Sequence, residues 1–581
     1  MKFIKSKIIA LFFCLLISPA HYSLSPQKKV KDYLRRLEAF DFSGAVLVEE
    51  KGKRIVYDTY GFANKAKRIP FSKESVFNIA SLTKPFTATA ILLLTQQGIL
   101  KTGDQIGKFF DNVPKDKASI TVHHLLTHTS GLRFDVGGRK DKWNRDEVVK
   151  KIMESKPLSE PGEKFAYSNS GYLLLAAIVE KSSGQSYEEF LANNIFEPAG
   201  MRRTGFTQSW KPSRQVAFGF NDAGTMESFL SWSPSWRHGS GNIVSTLEDV
   251  HRWHVAIRKN SILHAKTSKR MFERHASVSN DRAYGYGWYI TKTSNGETVV
   301  SHGGDNKGYH IELRWFPEKR RTIIVYTNKE MYDDSGFGLA LHKRVIAGKI
   351  ALILDGIETE LPPNPQRRSE RHLRRFIGDY AAQNGGRIRI WSDGGRLNVG
   401  ADGQPAIDAL LGASTAEREA HQEANAKTAE IIEAVGKRDK PTLERLLGKS
   451  DAEFFAEGWF EDWEKWEKEF GVIESFRVNG TFPLPWQSGL RRTLATLNFK
   501  DRSVDLHFTW NKKSLYETLS DMDFFPGFVL PLAPNSKSSF YAYNLVTQKS
   551  ATLGFAFGNP PGPTSVSVRG ANGPAISFVR K

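Results

Sequence analysis

Short β-like runs open the chain. Phe42–Glu50 and Arg54–Tyr60, separated by Lys51-Gly52-Lys53, read as a β-hairpin. The period then changes: from Pro85 the apolar run "PFTATAILLLTQQGIL" has helical length, with Gln-Gln-Gly98 as a carboxyl-terminal stop. A helical middle extends through Glu197. Strand patterns return at Gly287–Thr291, Gly308–Phe316 and Arg321–Thr327. Strands at both ends of a helical centre predict a sheet whose edges come from distant sequence, with a helical lobe inserted.

The pattern breaks at Glu358–Arg368, where Pro362, Pro363 and Pro365 mark a boundary; residues 353–369 read as a linker and 370–581 as a C-terminal, β-rich region. Phe376–Leu411 resembles a short meander with glycine turns. Ser414–Leu447 is charged and helical, broken near Lys440-Pro441. Strands resume over Gly471–Leu519, with alternation clearest in "SVDLHFTW". These segments predict a small barrel begun at Phe376 and resumed near Tyr541, interrupted by an α+β insert at about 413–520. Trp459, Trp463 and Trp466 fall on one helical face, the spacing of a core seam more than of a sugar-stacking platform.

Composition bounds the picture. A chain of 581 residues, 40% hydrophobic and 12% aromatic, buries enough surface for about two or three domains. Lys2, Lys5 and Lys7 precede the apolar run Ile8–Ile17 and then Ser18-Pro19-Ala20, the pattern of a secretory signal over residues 1–20 cut near Ala20. Cys14, the one cysteine, lies inside that run, so the mature chain is expected to form no internal disulfide. No later segment offers the roughly eighteen uncharged residues of a membrane span, so an exported, periplasmic protein without a transmembrane anchor is expected. The formal charge of +19 is spread over basic clusters at Lys28–Arg36, Arg139–Arg145 and Arg367–Arg375. Acidic residues interleave and no nucleic-acid motif accompanies the clusters, so solubility or an anionic envelope surface is expected, not a nucleic-acid partner.

Ser81-Leu-Thr-Lys84 puts a serine and a lysine one helical turn apart, near the positive end of a helix dipole. Alone the pattern is cheap. Ser25-Pro-Gln-Lys28 matches it too, and Ser81 could simply cap the helix. Tyr167-Ser-Asn169 stands in a turn before a helix, although Tyr326-Thr-Asn328 matches the same triplet. Ser301-His302-Gly303-Gly304-Asp305 ends a strand signal, with glycines that let a ligand or helix approach the backbone. His124 and His128 have metal-ligand spacing, but no glutamate follows the first, and no metal or cofactor is expected.

Taken in order, Ser81-x-x-Lys84, Tyr167-x-Asn169 and His302-x-Gly304 resemble the three motifs of the class C β-lactamase, penicillin-binding protein and esterase superfamily. "HLLTHTSGL" (124–132), "GNIVSTLEDV" (241–250) and "YGYGW" (284–288) are similar to phrases of that family. The resemblance covers residues 28–352. It implies the α/β (α+β) β-lactamase/transpeptidase-like fold, an antiparallel sheet flanked by helices plus a helical lobe, followed here by a lipocalin-like barrel. It also implies roles. Ser81 would attack a carbonyl, Lys84 and Tyr167 would share the proton transfers, with the general base left open between them, and Asn169 would hold Lys84 and the substrate amide. The backbone N–H groups of Ser81 and Asp305 would hold the oxyanion. At the third motif the β-lactamases typically carry Lys-Thr-Gly. His302 replaces a permanent cation by a group that ordinarily titrates near neutrality, and Gly303 lacks a hydroxyl to grip a carboxylate. The expectation is therefore a serine hydrolase acting on an ester or a D-amino-acid-containing amide, on a small-molecule or peptide substrate, peptidoglycan fragments included. The alternatives are a true β-lactamase and an inactive envelope-binding module.

Overall fold

The computed structural model describes residues 25–581 except 137–142, 208, 211–214, 221–225, 232–237, 294, 330–340, 367, 384, 394–395, 485–489, 511–514, 521–527, 544–549, 558–562 and 571–574; the expected leader 1–20, with Cys14, lies outside the described residues. Strands β1 (Gly44–Glu50) and β2 (Lys53–Tyr60) form the expected hairpin. Six strands from the far end of the same unit complete the sheet: β3 (Ala276–Ser277), β4 (Arg282–Tyr284), β5 (Tyr289–Lys292), β6 (Thr298–Asn306), β7 (Tyr309–Phe316) and β8 (Arg321–Thr327). Their order is β3-β4-β5-β6-β7-β8-β1-β2, antiparallel throughout. Gly44 closes against β8 so tightly that a Cβ there would stand 1.9 Å from the Tyr326 carbonyl oxygen.

Strand β1 is apolar on both faces because both are covered. Ala45 and Leu47 join the core of the helical lobe, whereas Val46 and Val48 pack with Val30 and Leu34 of helix α1 (Pro26–Ala39). In the lobe, helix α2 (Thr83–Gln96) is buried at every residue from Thr83 to Leu94, which is why its sequence is apolar all round. Helix α3 (Asn169–Ser183) is buried from Asn169 to Val179 in the same core. Helix α4 (Leu247–Arg258) is tied to β1 through Glu49, whose buried carboxylate meets His251 at 2.7 Å and Arg258 at 2.8 Å. Helix α5 (Leu341–Leu354) contributes Ile346 and Ile350 to the opposite face, beside α1.

The segment after the unit is pinned to α1, where Arg36 donates to the Pro362 carbonyl at 2.8 Å and Arg35 to Asn364 at 3.0 Å. Beyond it eight strands, Gly378–Ala381, Arg387–Asp393, Arg396–Asp402, Phe528–Pro534, Ser539–Tyr543, Ser550–Phe557, Pro563–Gly570 and Ile576–Arg580, close into a barrel in that order. The chain rejoins the barrel at Phe528, earlier than the expected point near Tyr541; three prolines in "FPGFVLPLAP" make a paired strand look like a loop. Between the third and fourth barrel strands, helices Thr415–Gly436, Lys440–Leu447 and Lys449–Phe470 pack on the four-stranded sheet of residues 475–520. Trp466 is buried, and Trp459 and Trp463 pack on the same core, so the three tryptophans are a core seam and not an exposed platform. Among the described residues no helix is long and apolar enough to cross a membrane.

Candidate functional site

Ser81 sits in a 3-10 turn, Ala80–Leu82, that runs straight into α2. Its side chain caps no backbone N–H of that helix, which removes the capping explanation for its presence. Asn78 fixes the turn: its Oδ1 accepts the Ala80 N–H at 2.9 Å, and its Nδ2 donates to the carbonyls of Gly241 at 2.9 Å and Ile243 at 3.2 Å. Ala80 is held at φ +47°, a left-handed conformation that costs an ordinary residue about 1–2 kcal/mol. The packing around Asn78 sustains that strain directly beside Ser81.

Lys84, one turn on and wholly buried, reaches three oxygens: Ser81 Oγ at 3.1 Å, Asn169 Oδ1 at 2.7 Å and the Ser240 carbonyl at 3.0 Å. The Asn169 and Ser240 oxygens fix Nζ on its other sides and set it within hydrogen-bond reach of the Ser81 hydroxyl. Asn169 opens α3 behind the cap Ser168 and donates from Nδ2 to Asp135 at 3.0 Å; that contact turns its Oδ1 toward Lys84. The Tyr167 ring centroid lies 4.9 Å from Lys84 Nζ. Burial pushes the Tyr167 phenol well above its ordinary range, and the nearby Ser81 hydroxyl only partly opposes this.

His302 departs from expectation. Burial, then the nearby Lys84, hold it well below the usual histidine range, so it does not titrate near neutrality. Both ring nitrogens are occupied: Nδ1 lies 2.7 Å from the Gly303 carbonyl and donates to it, and Nε2 accepts from the Tyr284 hydroxyl at 3.0 Å. Gly304 is glycine for a steric reason, since a Cβ there would stand 2.1 Å from the Ile79 carbonyl oxygen and 3.0 Å from the Ser81 nitrogen. Strand β6 therefore lies directly against the Ser81 turn.

Asp305 carries its carboxylate away from that contact, to Lys343 at 2.6 Å and His310 at 3.0 Å. Burial raises its pKa, but Lys343 and His310 outweigh burial and hold it ionised, below the usual carboxylate range. The register fixes its backbone. Asn306 and Tyr309 close a two-residue loop and are a hydrogen-bonded pair; pairs alternate, so Asp305 opposite His310 is a non-hydrogen-bonded one. Its N–H points away from β7, toward the edge that β5 leaves uncovered beyond Ser301.

Ser81, Lys84, Tyr167, Asn169, His302, Gly304 and Asp305 are thus brought to one place. His124 and His128 are not a metal pair: the helix ends at Leu126, His124 belongs to a capping box with Thr121, and His128, at φ +59°, accepts the Ser168 N–H. Sequence reasoning missed Asn78, Asp135, Ser240, Tyr284 and Lys343. Tyr284 lies inside "YGYGW", a phrase already singled out, and Asn78 stands three residues before Ser81. Asp135 and Lys343 carry no local signal.

The family described as Beta-lactamase matches residues 32–347. Penicillin-binding protein 4* of Bacillus subtilis (strain 168) is 29% identical over 406 residues, 65% of this chain and 88% of that protein. Protein flp of Staphylococcus aureus (strain MRSA252) is 28% identical over 299 residues, 49% of this chain and 59% of that protein. The fold is shared with D-amino acid amidase from Ochrobactrum anthropi SV3, solved with L-phenylalanine amide, at 24% identity and a TM-score of 0.50, over 57% of this chain and 98% of the amidase.

Proposed function

Because the chain belongs to the β-lactamase family of serine hydrolases, we propose that it forms an acyl-enzyme on Ser81 and cleaves an ester or a D-amino-acid-containing amide. The observation that carries this reading is the placement of Lys84 Nζ, 3.1 Å from Ser81 Oγ and bound on its other sides to Asn169 and Ser240. Ser81 Oγ attacks the carbonyl carbon and its proton passes into the Lys84–Tyr167 pair. The tetrahedral oxyanion is held by the N–H groups of Ser81 and Asp305. Tyr167, whose phenol stays protonated, returns a proton to the leaving group as the bond to it breaks. A water then attacks the acyl carbonyl by the same route, and Ser81 is regenerated.

Strand β6 supports the choice of substrate class. A neutral His302 and a glycine at 303 supply neither a cation nor a hydroxyl to a substrate carboxylate, which disfavours β-lactams. Export to the periplasm rests on the signal-like pattern of residues 1–20. The test is a kinetic panel of short esters, D-amino-acid amides and a chromogenic cephalosporin, run on the wild type and Ser81→Ala. Turnover of an ester or D-amide well above that of the cephalosporin, lost in Ser81→Ala, is the expected result. Negligible turnover of esters and amides alike, with the site intact, would overturn the proposal, and efficient cephalosporin hydrolysis would make the protein a β-lactamase.

A further inference from the structure

The face of β6 turned away from Ser81 holds a buried charged cluster that the chemistry above leaves unused. Lys343 of α5, 0% exposed, donates to the Gly304 carbonyl oxygen at 2.5 Å and to Asp305 Oδ1 at 2.6 Å. His310, opposite Asp305 on β7, holds the same carboxylate oxygen. The Gly304 carbonyl and the Asp305 N–H belong to one trans peptide group, so they point in opposite directions. One end meets Lys343. The other faces the Ser81 side of the strand.

We propose that Lys343 is a positioning residue for the oxyanion site: by hydrogen-bonding the Gly304 oxygen it polarises that peptide and strengthens the Asp305 N–H as a donor, while Asp305 and His310 hold Lys343 in place. Hydrogen bonds in a chain reinforce one another, most of all where water is excluded. The inference rests on the acyl-enzyme reading, because the effect acts where negative charge develops on the substrate oxygen. Losing a whole oxyanion donor costs about 10²–10³ in kcat, so weakening one should cost roughly tenfold.

The test compares Lys343→Met, Lys343→Gln and Lys343→Arg in the full chain, with kcat and KM on the best ester or amide, the inhibition constant of a boronic acid that forms a tetrahedral adduct on Ser81, and thermal melts. The expected order of kcat is Arg above Gln above Met, with Met about tenfold below wild type, KM nearly constant, and boronate affinity falling in step with kcat. If the Met variant does not fold, Gln against Arg makes the same comparison. Equal kcat across the series overturns the inference, and so does a parallel loss of kcat, KM and melting temperature with boronate affinity unchanged, which is the signature of a purely structural lysine. Wild-type turnover that survives Ser81→Ala would instead sink the acyl-enzyme reading, and this inference with it.

Discussion

Asn78 supports the Ser81 turn with all of its amide. Asn78→Ala would leave the Ala80 N–H and a share of the Gly241 and Ile243 carbonyls without partners in a buried place, at a cost of about 2–4 kcal/mol. Denaturant melts should register that loss, and kcat should fall further than stability alone explains, because Ala80 would relax from its left-handed conformation. Tyr167→Phe removes the proposed proton carrier and keeps the ring on Lys84, so kcat is expected to drop about 10²–10⁴-fold with KM little changed. His302 contributes no inflection near pH 6.5, since burial keeps it neutral there. His302→Gln should therefore leave the shape of the pH–rate profile around that pH as it is in the wild type; a limb that vanishes in the variant would contradict the neutral assignment. At this scale the motifs were legible from their order along the chain and the family-like phrases between them, since the first two patterns also recur singly elsewhere in the sequence. Asp135 and Lys343 were not, because their partners Asn169 and Asp305 arrive from other elements and only the fold introduces them.

At the scale of elements, the approach of β6 to the Ser81 turn sets the geometry of the site. Gly304→Ala would place a methyl group 2.1 Å from the Ile79 oxygen, so the strand must retreat, and a shift of about 1 Å at such a site costs about 10²-fold in rate. Crystal structures of the variant should find β6 displaced from the turn, and unchanged kinetics would refute the close-contact argument. The hairpin of β1 and β2 and the strands β7 and β8 were readable from their residue patterns alone. The strand Phe528–Pro534 was hidden by prolines, and the helix before His128 ended two residues too early for the two histidines to share a face. In both cases a local signal yielded to tertiary pairing.

For the molecule as a whole, buried histidines make acid the weak flank. Burial holds His128, His254 and His302 well below the ordinary range, and His123 and His238 are lowered to about 4. In the unfolded chain these groups take up protons near pH 6.5 while the folded chain resists, so stability is complete above that pH and falls as pH drops through it. Depressed carboxylates such as Asp305 and Glu49 add their loss only further down, below about pH 4. Melting temperature should thus decline between pH 7 and pH 5, and a flat profile there would count against the buried neutral histidines. The barrel touches the first unit through Ala533 and Tyr541, which join the α1 and α5 core on the sheet face opposite the Ser81 turn. Truncation after Pro365 is expected to lower stability by exposing that core while leaving KM and kcat close to those of the full chain.

The claim on which the rest depends is that Ser81 is the nucleophile. Peptide-level mass spectrometry after brief exposure to a fluorophosphonate tests it most directly, with wild type, Ser81→Ala and Lys84→Met side by side. A single adduct on the peptide bearing Ser81, absent in Ser81→Ala and formed far more slowly in Lys84→Met, is the expected result. No adduct on the folded wild type, or one that persists in Ser81→Ala, would contradict it.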